Sequence, residues 1–172
     1  MEVNYDYWQG ESLPEVIQTI AEFRKQVLTN EQPVSQRPLS DEINYLQHYF
    51  DSESTIIVAN DCGSIVGYIS LINELVNHPK CEEYSYYGSD LVVSEGPLVH
   101  PDYRSQGIGK GLMMEALHSC QNRSLEVLII EPSAILSNPI DQATYSIAAQ
   151  FDFNVLNKNE PTIFKKQIEA IF

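Results

Sequence analysis

A mixed α+β fold, a mostly antiparallel central sheet flanked by helices, is predicted by three features of the chain. Helical and strand periods alternate along it, two adjoining strand-like runs share a tight turn, and a later strand, helix, strand run requires a crossover. The 172 residues, 43% of them hydrophobic, match one domain of roughly 100 to 200 residues. A single domain over residues 1–172 is therefore expected, with no repeat, low-complexity tract or linker.

The elements follow in order. From Leu13 to Val27 the apolar residues Val16, Ile17, Ile20, Ala21, Phe23 and Val27 recur at steps of three and four behind Ser12 as N-cap, which predicts a helix. A second helix is expected from Ser40 to Phe50, with Ser40 as N-cap and Asp41 and Glu42 in the first turn. Thr55–Ala59 and Ile65–Ile72 are apolar, β-branched runs around Asn60-Asp61-Cys62-Gly63, which predicts a hairpin. Asn77–Asp90 carries Pro79, Gly88 and three tyrosines without a period, a loop of functional length. Leu91–Val99 resumes strand composition but is interrupted by Gly96-Pro97, where a bend is expected. Gly107–Ser119 has helical spacing, Ser124–Ile130 reads as a buried strand and Pro139–Phe151 as a last helix. Asn154–Leu156 and Thr162–Ile168 close the sheet.

With 24 acidic against 10 basic side chains the net charge is −14, which repels polyphosphate backbones and argues against nucleic acid as a partner. The start Met1-Glu2-Val3-Asn4 has no basic, apolar leader, and no run approaches the roughly 20 apolar residues that span a bilayer. A cytoplasmic protein without a membrane partner is expected. Cys62, Cys81 and Cys120 are odd in number and widely spaced, and His78-x-x-Cys81 has no second ligand pair, so reduced thiols and no metal are expected.

The stretch that carries chemistry runs from Leu98 to Leu112 and places a strand end, a loop and a helix start in succession. Amide groups at a helix N-terminus lack intrahelical partners, and glycine lets an anion approach the main chain. Arg104 and Lys110 add positive charge to that dipole end, so an anion site is expected. A P-loop is excluded, because Arg104 stands where glycine is needed and Gly111 where serine or threonine is needed. The dinucleotide fingerprint is excluded too, because position 112 after Gly107 and Gly109 is Leu112.

What remains is Arg-x-x-Gly-x-Gly, at Arg104, Gly107 and Gly109, preceded by Val99, Pro101 and Tyr103. This segment resembles the acetyl-coenzyme A signature of the GNAT superfamily of N-acetyltransferases, and the order of elements extends the resemblance over nearly the whole chain. The resemblance implies a splayed sheet, with the pantetheine arm lying between two diverging strands. Leu98 and Val99 would pair with the pantetheine amides, while Arg104, Ser105, Gln106, Gly107, Ile108, Gly109 and Lys110 would hold the diphosphate. Pro97 departs from the pattern, since many relatives use a backbone N–H there; that donor must come from Leu98 or elsewhere.

The implied reaction is direct acetyl transfer from acetyl-CoA to a primary amine. Glu95 matches by position the glutamate base of the polyamine-acetylating branch, and His100 is the second candidate. Relatives place a tyrosine acid seven residues after a cofactor-touching asparagine, a spacing kept by Asn138 and Tyr145. They also place it five before the Phe that ends the helix, and counting back from Phe153 reaches Ala148, so the two registers disagree. The negative charge, with Glu82, Glu83, Asp90 and Glu95 around the loop, favours a cationic small molecule or peptide as acceptor. Tyr84, Tyr86 and Tyr87 suit either an acceptor groove or a homodimer contact. A coenzyme A binding or sensing module without turnover is the alternative to an enzyme.

Overall fold

Alternating apolar residues open the chain: Val3, Tyr5 and Tyr7 share one face of strand β1 (Val3–Gln9), which the sequence reading did not include. Helices α1 (Leu13–Val27) and α2 (Leu39–Tyr49) follow, then strands β2 (Thr55–Asp61) and β3 (Ser64–Leu71). Strand β4 (Leu91–Glu95), the short β5 (Leu98–Val99), helix α3 (Ile108–Asn122) and strands β6 (Val127–Glu131), β7 (Asn154–Asn157) and β8 (Ile163–Gln167) come next, with helical residues 146–150, the described part of the expected last helix, between β6 and β7. The structure, a computed structural model, describes residues 2–10, 13–28, 36–50, 53–72, 82, 91–95, 97–131, 146–157 and 163–168, with the main chain alone for β4 and for most of β6, β7 and β8.

The predicted α+β class holds. Among the described residues the strands form two sheets, ordered β1-β2-β3-β5 and β4-β6-β8-β7. Only β4 and β6 run parallel there; the remaining pairs are antiparallel. The predicted hairpin turns through Cys62 (φ 50°) and Gly63 (φ 84°), the left-handed pair of a two-residue turn whose twist suits the strands.

The second helix starts one residue earlier than expected. Pro38, not Ser40, is its N-cap, and the amides of Asp41 and Glu42 bond to the Pro38 carbonyl at 3.1 and 3.0 Å. Glu42 sits in the first turn as expected and also serves the core. It is fully buried, bridging Arg24 of α1 at 2.8 Å and Arg37 at 2.8 Å. Arg24 also donates to the Tyr68 hydroxyl at 2.6 Å, so one buried charge group fastens α1 and α2 to β3. Removing one partner of such a buried pair costs about 3–5 kcal/mol, because the other charge is left in an apolar layer.

Each face of the first sheet has its own core. Ile56, Val58 and Tyr68 pack under α1 and α2, while Ile57, Ala59 and Ile69 pack against Leu112, Met113 and Ala116 of α3. Period-two strands thus divide the apolar residues between the two helical layers. On the α3 side β1 is clamped as well. The Tyr7 hydroxyl donates to Glu115, and a side chain at Gly111 would overlap the Tyr5 hydroxyl. Partial burial first, then the neighbouring Glu115 carboxylate, hold both phenols above the usual tyrosine range.

The two sheets part between Glu95 and Leu98, and Gly96 of the expected bend lies outside the described residues. Parallel pairing of β4 with β6 ends at Glu95 opposite Glu131, and β5 then pairs with β3 instead. Proline has no N–H to offer a ladder, so a break at Pro97 leaves no orphan donor. Ser12, the loop Asn77–Asp90 apart from residue 82, and residues 139–145 of the expected last helix lie outside the described residues.

Candidate functional site

Register decides which groups face the opening between the sheets. Val99 stands opposite Gly67 and Leu98 opposite Tyr68, while the His100 amide donates to the Val66 carbonyl at 2.9 Å. Antiparallel residues alternate between bonded and non-bonded pairs. His100–Val66 and Leu98–Tyr68 are therefore the bonded pairs, and the amide and carbonyl of Val99 point away from β3, toward the opening. Leu98 consequently spends its polar groups on β3 and buries its side chain in the α1–α2 layer. Of the two strand residues expected to pair with a pantetheine arm, Val99 alone presents main-chain groups to it.

The chain then turns through a 3₁₀ segment, Pro101–Tyr103, into an exposed loop. Arg104 folds back, its Nε donating to the Val99 carbonyl at 3.2 Å, and Gln106 Nε2 reaches the Asp102 carbonyl at 3.1 Å. Ser105 (φ 61°) and Gly107 (φ 84°) are both left-handed. That conformation is strained for serine, and its recurrence within three residues gathers successive amides into a concavity of the kind that suits an anion. Gly107 caps α3 with no side-chain hydrogen bond, and the first intrahelical bond runs from the Gly111 amide to the Gly107 carbonyl at 2.9 Å. The amides of Ile108, Gly109 and Lys110 are thus without intrahelical acceptors at the positive end of the helix dipole. Ile108 is there through its main chain alone, since its side chain is buried in the core.

Apart from Gln106, which the structure leaves outside the lining, the residues expected to hold the diphosphate line a cavity of about 510 Å³. Pro97 to Val99 form one wall, the loop and the first turn of α3 form the floor, and Ser146, Ile147 and Gln150 face them. A Cβ on Gly109 would lie 3.1 Å from Ile147 and within 4 Å of Val99 and Pro97, so the absence of a side chain there leaves the space between the two walls free. Arg104 and Lys110 stand exposed at the rim, a local cationic site in a chain of net charge −14. The size, the clustered amides and the two cations fit a coenzyme A diphosphate and its arm. Ser146, Ile147 and Gln150 were missed from the sequence, where the last helix was read through its asparagine and tyrosine alone.

The end of that helix is defined by its hydrogen bonds. Phe153 N–H bonds to the Ala148 carbonyl at 2.9 Å and Asp152 N–H to the Ala149 carbonyl at 3.4 Å, with Asp152 left-handed at φ 58°. This is a Schellman closure with Asp152 in the conformation that glycine usually takes. Ala148, five residues before Phe153, is fully buried and has no proton to give. Asn138 and Tyr145 lie outside the described residues. For Glu95 the main chain alone is described, at the last paired position of β4 before the sheets part.

His100 is not part of the cavity lining. Its ring is enclosed by Phe23 and Tyr103, with centroids 6.5 and 5.8 Å away, and its Nδ1 accepts the Asp102 amide at 3.2 Å. Cys120 is buried on α3, and burial pushes its thiol up to about 12, so it is no thiolate nucleophile. Among the described residues no helix is long and apolar enough to cross a membrane.

The sequence model described as the Acetyltransferase (GNAT) family matches residues 19–145. No curated protein matches the chain. Among solved structures, an N-acetyltransferase from Staphylococcus aureus Mu50 superposes with a TM-score of 0.68 at 12% identity, over 96% of this chain and 99% of its own. The ribosomal-protein-S18-alanine N-acetyltransferase from Escherichia coli gives 0.63 at 16% identity, over 99% and 97%. The PaiA N-acetyltransferase from Thermoplasma acidophilum, in complex with coenzyme A, gives 0.62 at 15%, over 97% and 99%. With three quarters of the chain inside the family match, this protein belongs to the GNAT family of acetyltransferases.

Proposed function

We propose that this chain transfers an acetyl group from acetyl-CoA directly to a primary amine on a cationic small molecule or peptide. The observation that carries the reading is the pairing of an open strand residue, Val99, with uncapped amides at the start of α3 in one cavity. That the Thermoplasma acidophilum neighbour is in complex with coenzyme A, and that the Escherichia coli neighbour is an alanine N-acetyltransferase, support it.

In this reading the Val99 main chain holds the pantetheine arm, and its carbonyl, with two lone pairs, serves Arg104 and a pantetheine amide together. The amides of Ile108, Gly109 and Lys110, with the Arg104 and Lys110 side chains, hold the diphosphate. When bound, acetyl-CoA supplies an acyl carbon activated as a thioester. Glu95 takes the proton that the amine must lose before or as it attacks. Asn138 against the cofactor and Tyr145 as donor to the departing sulfur complete the set on the strength of the family resemblance.

A coenzyme A binding or sensing module is the second reading. It is favoured by Ala148 at the register counted from Phe153 and by Pro97, which has no N–H to polarise a thioester carbonyl. Calorimetry with acetyl-CoA, followed by thiol release across a panel of amines, separates the two. Saturable binding with amine-dependent release supports the transferase, and binding without release from any amine supports the sensor. No binding overturns both.

A further inference from the structure

His100 caps the turn that delivers the phosphate-binding loop. It precedes Pro101, which restricts it to extended backbone (φ −54°, ψ 136°) and occupies the first position of the turn. Its Nδ1 accepts the Asp102 amide at 3.2 Å, as an N-cap side chain does. A ring nitrogen that accepts carries no proton, so the proton of the neutral ring sits on Nε2. Nε2 lies 3.3 Å from Nε2 of Gln26 on α1, and with the ring proton on Nε2 that side-chain amide pairs with it once turned to present its oxygen. Both ring nitrogens are thus engaged, one with the turn and one with α1, and neither is available to take a proton from a substrate.

We infer that neutral His100 is a positioning residue that holds the coenzyme A loop against α1, so that protonating its ring loosens the loop and weakens cofactor binding. Protonation makes Nδ1 a donor facing another donor, the Asp102 N–H. Among the described residues, the charged group recorded beside the ring is the Asp102 carboxylate, 3.8 Å from Nδ1 and 84% exposed. Packed against it from α1 are Phe23 and Gln26 and from the turn Tyr103, none of them charged at neutral pH, and β3 meets this residue through the Val66 carbonyl. An ion pair with so exposed a carboxylate gains little, so the lost cap decides the sign. The inference rests on the loop being the cofactor site, and its test separates the two.

Coenzyme A affinity is measured by calorimetry from pH 8 to pH 5 in the wild type, His100→Asn and His100→Ala. Asparagine keeps an N-cap acceptor that does not titrate. At pH 8 the alanine variant binds roughly tenfold more weakly than the wild type and the asparagine variant falls between. Toward pH 5 the wild type loses roughly three- to tenfold more affinity than His100→Asn, whose profile keeps only the titration of the ligand phosphate. Parallel profiles overturn the inference, as does a hundredfold loss of turnover in His100→Asn with unchanged affinity, which would make this histidine a base. In the ligand-free protein, ¹⁵N spectra show the Nε2–H tautomer at pH 8. Asp102 amide exchange is slow in the wild type and His100→Asn and fast in His100→Ala. Should the wild type not bind coenzyme A at pH 8, the cofactor reading fails, and these ligand-free spectra alone decide whether His100 holds the turn.

Discussion

Arg104 Nε donates to the Val99 carbonyl at 3.2 Å, tying the loop that carries the cation to the strand residue that faces the opening. One side chain therefore braces the floor of the cavity and brings charge to its rim. Arg104→Met is expected to weaken coenzyme A binding about tenfold to a hundredfold, the loss of a charged hydrogen bond of about 1.5–3 kcal/mol. Arg104→Lys keeps the charge without the planar fork and falls between. Calorimetry at fixed ionic strength checks the order.

Glu95 closes β4 opposite Glu131, at the last pair before the sheets part. If it accepts the amine proton, Glu95→Gln lowers turnover at neutral pH by about a hundred- to ten-thousandfold with cofactor affinity nearly unchanged. Steady-state rates beside calorimetry measure both, and unaltered turnover would remove Glu95 from the reaction.

At Gly111 two effects oppose each other. A helical alanine gains about 0.5–1 kcal/mol over glycine, but its Cβ would lie 1.8 Å from the Tyr5 hydroxyl and displace that ring from its seat on α3. Overpacking costs about 1–3 kcal/mol, so Gly111→Ala is expected to destabilise the wild type. In a Tyr5→Ala background the same change should stabilise by about 0.5–1 kcal/mol. Urea denaturation of the four proteins reads the reversal.

Cys120 and Cys62 differ in reactivity for reasons of burial. Cys62 is exposed in the β2–β3 turn, whereas the Cys120 thiol is buried and held protonated up to about pH 12. At pH 8 a thiol reagent should label Cys62 in the native protein and Cys120 only after unfolding, as peptide mass mapping would show. Because burial raises the folded-state value, Cys120 costs no stability below its unfolded value near 9 and erodes stability as the pH rises from there toward 12.

Local chemistry was enough to reveal the helices of α1 and α3, the Cys62-Gly63 hairpin, the break in strand pairing around Pro97 and the exposed amides that open α3. Each depends on interactions within a few residues: a period, a turn conformation, a missing N–H, a helix end. Strand β1 escaped although Val3, Tyr5 and Tyr7 alternate, because so polar an alternation becomes a strand only when β2 and α3 are there to receive it. The role of Glu42 was likewise beyond reach, since an acid in a first turn reads as solvated until Arg24 and Arg37 are brought to it. The division of labour between Leu98 and Val99 came from pairing register with β3, and the far wall of Ser146, Ile147 and Gln150 from the packing of the last helix across the cavity. Composition and motif determined which family this chain resembles. Which atoms face the cavity was left to tertiary structure, because facing depends on partners distant in the chain.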